Sequence, residues 1–596
     1  MKKALSLILV CLFLVSMIIP VSAAQFINAY ETIQAENYSE ASCASVLGLG
    51  STHYLENCLD AGGGKNVFDW QRNTYFKYAN VDFGSDAAYG FSARVADFSD
   101  HADLKIILDS INGPVIGTLH IVSTGKQQDW ETQSCPITPT SGVHDVFLKF
   151  ENNPAKASLN YFTFLHTVPE ETVRPTYSYE PLPANWQGRD TRPDTWVATD
   201  MLGEAVADNR MAGNPRSNKY VGIFYHLFLT RKQGEVYDNS RLLEENYFDP
   251  AYGPVNTDHF WGKPIFDYYR NIDTYVIRRH AQLLYNAGVD VIIFDTSNAG
   301  FPFAPYWMAI VDTLYQMREE GLNTPQFAFH TGDGTDGTNK LAAYLYKNLY
   351  STGKYRELWF MWDGKPLMLG NSTQLSAQYR NVFTFRRSWA WQSGENQFPW
   401  LDNTPQGYGW NESADKPEAT SVCLAQHATT NKGKCYSGGV EPANVSEETT
   451  LELINFREQW EHALSLDPEF IFVTAWNEWV ASNYYAAEGQ DFLGRKLSAN
   501  DYYFVDEYNP EFSRDIEPSD GFLGDEAYMK LAHYIRLFKG ARAVGAANGS
   551  HTISINESFA QWDTVEPAFY DSVGDVTHRN ELAYAGYTTL VNHWPK

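Results

Sequence analysis

The chain has 596 residues, enough for two to four domains at roughly 150 residues each. Its 72 acidic and 45 basic residues give a formal charge of −27, or −29 once residues 1–23, with Lys2 and Lys3, are set aside, which argues against a face for nucleic-acid phosphates. Apolar residues at 44% and charged residues at 20% exclude a disordered chain, while the 15% aromatic content, with 17 Trp and 37 Tyr, suits amphipathic ligands as well as cores.

Residues 1–23 read as a secretory signal: Lys2-Lys3, an apolar run over 5–20, and Val21-Ser22-Ala23 as a small-residue cleavage site. No later apolar run reaches the roughly 18 residues that cross a bilayer, so the expectation is a secreted or extracellular protein, released, periplasmic or held at the cell surface. Of the five cysteines that remain, short loops allow Cys43 to pair with Cys58 and Cys423 with Cys435, leaving Cys135 odd. No C-x-x-C or Cys/His cluster marks structural zinc.

Over 25–167, short alternating runs at 88–95, 104–108, 115–122, 146–150 and 160–165 are separated by Gly, Asp and Asn, the pattern of an antiparallel β-sandwich. A connector over 168–190 carries Pro169, Pro175, Pro181 and Pro183. Residues 191–541 change texture. Continuous apolar runs at 220–229, 289–294, 326–330, 358–361, 382–385 and 470–474 alternate with helical segments, as in parallel strands buried on both faces. Asp273 caps a helix with Val276, Ile277, His280, Ala281 and Leu284 on one stripe, and Gly288 ends it. This organisation predicts a (β/α)8 barrel closed by a helix over 525–539. Residues 542–596, with runs at 553–555, 559–562 and 584–591, read as a short β-rich appendage too small for its own core.

In such a barrel, polar residues just after the apolar runs are the candidates for chemistry. They are His226, Asp295, His330 and the group Trp476-Asn477-Glu478-Trp479, with Trp261 nearby in sequence pattern. Asp363-Gly364 reads instead as a hairpin turn. Carboxylates at separate strand ends among Trp and Tyr fit glycoside hydrolysis, which needs one protonated and one ionised carboxyl. Glu478 is the candidate acid and Asp295 its partner, with His226, Trp261, His330, Trp476, Asn477 and Trp479 as substrate contacts. Two other readings stand beside this one: Glu478 as a buried partner of Arg386 or Arg387, and His226, His330, Asp295 and Glu478 as an N/O metal site. The chain lacks a G-x-S-x-G elbow and both nucleotide-binding glycine motifs.

Two resemblances sharpen this. Ile33-Gln34-Ala35-Glu36-Asn37-Tyr38, Gly62 to Val67, Tyr75-Phe76-Lys77-Tyr78, Leu108-Asp109-Ser110, Gly117-Thr118-Leu119 and Leu159-Asn160-Tyr161-Phe162 resemble family 6 carbohydrate-binding modules across residues 31–166. The resemblance implies a structural calcium held by Gln34, Glu36 and Asn160, and sugar-stacking rings at Phe68 or Trp70 and at Tyr75. The family has Asp where this chain has Asn160, a second stacking Trp where it has Gln127 or Gln128, and Asn where it has Ser158. Residues 218–540 resemble the barrels of glycoside hydrolase families 71 and 99 through Phe224-Tyr225-His226, the stretch from His259 to Pro264, Asp290 to Asp295, and above all Phe472 to Trp479. That likeness implies a catalytic role for Glu478. No cofactor is expected for catalysis. The expected partner is a polysaccharide or oligosaccharide, and the alternative is a glycan-binding surface protein with a barrel that no longer cleaves.

Overall fold

The computed structural model describes residues 26–42, 55–69, 74–97, 102–122, 124, 128, 130–151, 157–170, 179–229, 236–240, 255–297, 303–373 and 375–569. The signal stretch, Cys43, Trp70 and the run at 584–591 lie outside them. The chain divides into two compact units, Met1–Thr176 and Tyr177–Lys596.

The first unit is a β-sandwich. One sheet runs Ile27–Asn28, Tyr75–Asp82, Val143–Glu151, Asp103–Leu108, Val115–His120, with Glu40–Ala41 on the second of these. The other runs Glu131–Thr140, Ala88–Asp97, Ala157–Leu165, Lys65–Asp69, Leu55–Asn57, with Ile33–Gln34 on Ala157–Leu165. Alternation aims Phe76 and Tyr78 inward against Phe91, Phe162 and Phe164, and burial of each large side chain contributes about 1.5–3 kcal/mol.

The second unit is organised around a sheet whose parallel strands are β1 (Tyr220–Tyr225), β2 (Val291–Asp295), β3 (Gln326–His330), β4 (Lys365–Leu369), β5 (Thr384–Arg386), β6 (Ala419–Cys423) and β7 (Phe470–Thr474). Their order is β5-β4-β3-β2-β1-β7-β6. Tyr408–Trp410 then pairs antiparallel with β6, and Gly394–Glu395 pairs with Tyr408–Trp410. Just beyond β5, Arg387 bridges Gln397, with Arg387 N donating to Asn396 O at 3.0 Å and Phe398 N to Arg387 O at 2.8 Å. Among the described residues the sheet thus holds seven parallel strands rather than the expected eight, plus the antiparallel insertion. One face carries Phe224, Val291, Ile293, Ala328, Leu367 and Phe472, and the other packs on helices, which explains why the strands read as continuous apolar runs.

Helix α1 (Thr274–Ala287) has the Asp273 cap and the left-handed Gly288 terminus that its sequence predicts. The closing helix is Glu526–Lys539. The run at 358–361 makes only one parallel bridge to β3, Trp359 to Phe327, before Met361–Trp362 becomes the outer arm of a hairpin turned at Asp363-Gly364, both at positive φ; the continuing parallel strand is β4. Residues 542–569 contain no strand. Residues 559–562 form a 3-10 helix and Ile555 is 97% exposed, because alternating apolar residues without a neighbouring strand have no ladder to join. Cys423 and Cys435 are separate buried thiols rather than a bridge, each pushed up to about 12 by burial.

Candidate active site

Strand period and register assemble the centre. Side chains at i and i+2 share a face, so β1 carries Phe224 then His226, β2 carries Ile293 then Asp295, and β3 carries Ala328 then His330 from an apolar floor to polar ends. Asp295 pairs with His330 across β2 and β3, and Tyr225 with Phe294 across β1 and β2, so the three polar residues stand side by side. All three are buried. After β7, Asn477 clamps the backbone of His226, accepting from its N at 2.9 Å and donating to its O at 3.2 Å, and thereby sets the next residue, Glu478, against the imidazole.

His226 Nε2 lies 3.2 Å from Glu478 Oε2 and 3.9 Å from Asp295 Oδ2, so these carboxylate oxygens are at most about 7 Å apart. His330 Nδ1 stands 3.9 Å from Asp295 Oδ1, and Ser297 donates to the same oxygen from N at 2.9 Å and Oγ at 2.6 Å. Burial drives His226 down to about 4, a neutral imidazole. Burial also opposes the Asp295 charge, but His330, His226 and Ser297 outweigh it and hold its carboxyl below the usual range. Glu478 goes the other way. Burial raises its carboxyl well above the usual range, Arg514 pulls against this, and Asp506 and Asp515 add to it.

Sequence reasoning missed the residues behind Glu478. Arg514 NH2 contacts Glu478 Oε2, Asp506 Oδ1 at 2.5 Å and Glu507 Oε1 at 3.0 Å. Burial opposes the Arg514 charge, yet Asp506, Glu478 and Glu507 hold it firmly protonated. Burial likewise raises Glu507 well above the usual range and Asp515 to about 7. Asp515 accepts from the Glu478 backbone N and, at 2.6 Å, from Trp261 Nε1. The sequence signal was available in Asp506-Glu507, Glu511 and Asp515-Ile516-Glu517 crowded around one Arg. Among the described residues, Glu478, Asp506 and Glu507 come close enough to share a cation, and the Arg514 guanidinium already occupies that position. The expected Arg partners of Glu478 are engaged elsewhere: Arg386 with Glu418 and Asp363, Arg387 with Asp333.

The expectation that Trp261, Trp476 and Trp479 line a sugar surface is corrected. Trp261 and Trp479 stack on each other at 4.4 Å inside the protein, and Trp479 Nε1 donates to Glu517 Oε2 at 2.6 Å. Trp476 packs against His280 in the layer between sheet and helices: the strand ends at Thr474, the alternation breaks there, and Ala475 takes the inner side while Trp476 turns to the outer face. All three are scaffolding. Among the described residues, Trp389 and Trp391, in the loop after β5, are exposed.

In the first unit, Gln34 lies on a strand paired with Tyr161, Glu36 lies in the following 3-10 turn, and Asn160 is on Ala157–Leu165. Glu36 Oε2 is a buried carboxylate oxygen with no hydrogen-bond partner, which fits a cation. Asn160 donates from Nδ2 to Asp60 at 3.0 Å, which leaves its Oδ1 as the oxygen available to that cation. Tyr75 hydroxyl donates to Glu40 at 2.7 Å. Gln128, at a place where the family has a stacking Trp, is tied into the sheet: Nε2 donates to Glu56 at 2.7 Å and Asn66 at 3.1 Å, and Oε1 accepts from Leu59 N and Trp130 Nε1.

Among the described residues, no helix is long and apolar enough to cross a membrane. The chain is 30% identical over 153 residues to "Endo-1,4-beta-xylanase A" of Thermoclostridium stercorarium, covering 25% of this chain and 28% of that protein. It is 31% identical over 127 residues to "Arabinoxylan arabinofuranohydrolase" of Bacillus subtilis (strain 168), covering 21% and 23%. A solved family 6 carbohydrate-binding module from Clostridium cellulolyticum in complex with xylose aligns with 23% of this chain and 98% of its own at 35% identity and a TM-score of 0.20. The chain therefore spans less than a third of the length of these curated relatives. Residues 34–166 match the family described as Carbohydrate binding module (family 6), and the N-terminal unit of this chain is such a module.

Proposed function

We propose that the chain is a secreted glycoside hydrolase, with the N-terminal module holding it on a polysaccharide while the second unit cleaves a glycosidic bond. The observation that carries this reading is the pair Glu478 and Asp295 on either side of His226, with surroundings that drive one carboxyl up and the other down. Two-carboxylate glycoside hydrolysis uses separations from about 5 to 9.5 Å, and the upper limit of about 7 Å keeps this pair from exceeding that range.

In this reading Glu478 gives its proton to the leaving glycosidic oxygen, while ionised Asp295 attacks the anomeric carbon or activates the water that does. His226, neutral at physiological pH, spaces the two carboxyls without neutralising either. We read the sheet as a (β/α)8-type barrel modified by the antiparallel insertion, supported by the Arg387–Gln397 bridge beside its far edge and by the resemblance to families 71 and 99. Tethering through the module raises the local substrate concentration at an insoluble surface. Its relatives' names and complexes, a xylanase, an arabinoxylan hydrolase and a module with xylose, make xylan-type chains the first to try. Gln34, Glu36 and Asn160 would hold a structural calcium there, with the unpartnered Glu36 oxygen as its anchor.

Arg514 on Glu478 favours the second reading, a glycan-binding protein in which Glu478 is only a structural ion-pair partner. Release of reducing ends from a panel of polysaccharides by wild type and Glu478→Gln separates the two. The hydrolase reading expects cleavage by wild type and near-complete loss in the variant, and equal cleavage by both would remove Glu478 from the chemistry.

A further inference from the structure

Around the paired carboxylates, the second unit presents two exposed indoles and a set of buried polar atoms with nothing to bond. Trp389 is 36% and Trp391 43% exposed, although both belong to a loop pinned at its base by Trp391 N donating to Leu401 O at 2.7 Å and by the Arg387 bonds to Asn396 and Phe398. Trp391 holds φ at +57°, a left-handed conformation that costs a bulky residue strain and that the pinned loop maintains. Trp389 lies nearly parallel to the His330 ring, 6.3 Å away with planes 19° apart, on the Asp295 side. Trp391 stands edge-on to His427 at 6.0 Å, and His427 feels the charges of Asp506 and Arg514, on the Glu478 side. Trp389 thus neighbours the His330–Asp295 pair, and Trp391 neighbours His427.

Phe224 forms a floor on which the rings of His226, His330 and Trp400 all pack, at 5.0, 5.1 and 5.5 Å. At this floor His226 Nδ1 and Trp400 Nε1 are buried without a hydrogen-bond partner, and so is Ser388 Oγ, on the residue whose carbonyl meets His330 Nε2 at 3.2 Å. Orphaned donors and acceptors in a folded interior are costly, and a cluster of them is satisfied by a ligand rich in hydroxyls. Flat exposed indoles suit the apolar face of a pyranose ring. Ionised Asp295 and the chain's formal charge of −27 disfavour an anionic sugar.

We infer that Trp389 and Trp391 are the stacking platforms of an uncharged pyranose chain, whose ring hydroxyls are taken by His226 Nδ1, Trp400 Nε1 and Ser388 Oγ. This rests on the proposed hydrolase reading for the site it flanks, and it adds the substrate class and the residues that grip it.

The test uses the full chain with xylan, a β-1,3-glucan, a β-1,4-glucan and a mannan as neutral probes and polygalacturonate as the anionic one. On the neutral chain that is cleaved, Trp389→Ala and Trp391→Ala are expected to raise KM on the order of tenfold on soluble oligosaccharides while kcat changes little. In a Glu478→Gln background the same substitutions are expected to weaken binding equally, with circular dichroism unchanged because both rings are exposed. Unaltered KM and binding in folded Trp variants would overturn the platform and leave the hydrolase reading standing. Loss of binding in the Trp variants of a protein that cleaves nothing would keep the platform and sink the hydrolase reading. Tighter binding of polygalacturonate than of every neutral probe would overturn the substrate class.

Discussion

Both units bury acids beside arginine, and they balance the charges differently. In the sandwich, Arg94 meets Asp60 one to one, bonding from Nε at 2.9 Å and NH2 at 2.8 Å; burial works against the Asp60 charge, but Arg94 and Asn160 outweigh it and the carboxyl stays ionised. In the second unit a single guanidinium serves Glu478, Asp506 and Glu507, and burial leaves Glu478 and Glu507 above the usual carboxylate range. A matched pair fixes a loop. A surplus of buried carboxylates holds a proton at neutral pH, which is what an acid catalyst requires.

The sharpest way to break this contrast is at the ionised half of the pair. Asp295→Asn is expected to lower kcat about a thousandfold on the glycan that wild type cleaves, measured by reducing-end release, because general acid–base partners contribute on the order of 10²–10⁴. Retention of the wild-type rate would reduce Asp295 to a strand-end hydrogen-bonding group. Next in size, Arg514→Met strands buried carboxylates and should cost about 3–5 kcal/mol in the unfolding transition of the second unit, read in urea, with the sandwich transition unmoved. Chelation sharpens the other side. If calcium sits on Glu36, removing it should lower only the sandwich transition, by about 2.7 kcal/mol relative to a hundredfold excess over Kd. Arg94→Ala should cost that unit about 1–2 kcal/mol, since the lost bonds are charge-assisted but Arg94 is partly exposed.

A further test is in pH. Burial pushes Asp515 to about 7 and Glu441 to about 9, and raises Glu478 and Glu507, so above the ordinary carboxylate range the folded chain keeps protons that the unfolded chain has released. The stability these protons confer is full below the unfolded values and is lost as pH rises through the folded ones. Burial takes His226, His259 and His427 to about 4, which partly oppose this until unfolded histidines have released their protons, at about pH 7.5. Stability is therefore expected to fall from about pH 6.5 to 8. A rise over that window in thermal melts would contradict the protonated cluster.

The strands that sequence placed to the residue, Gln326–His330 and Phe470–Thr474, are short apolar runs between polar flanks, where period and burial agree. Strand-end logic also brought His226, Asp295, His330 and Glu478 together, because parallel register carries neighbours to the same level. What stayed illegible is long-range or irregular. Arg514 and its acids lie on a segment with no period, so their pairing depends on tertiary contact alone. Trp476 and Trp479 looked like a sugar surface because composition does not say which way a ring faces, whereas Trp389 and Trp391 lay in a loop read only for its arginines. The alternation at 553–562 misled for want of a partner strand.

In the proposed chemistry Glu478 works as an acid and Asp295 as an ionised base or nucleophile. The dependence of kcat/KM on pH, followed from about pH 3 to 10 on the cleaved glycan, tests it most directly. Wild type should give a bell whose acid limb lies below the ordinary carboxylate range and whose alkaline limb lies well above it, and Glu478→Gln should keep only the acid limb at a rate lower by at least about a hundredfold. An unchanged bell in Glu478→Gln, at any rate, would contradict it.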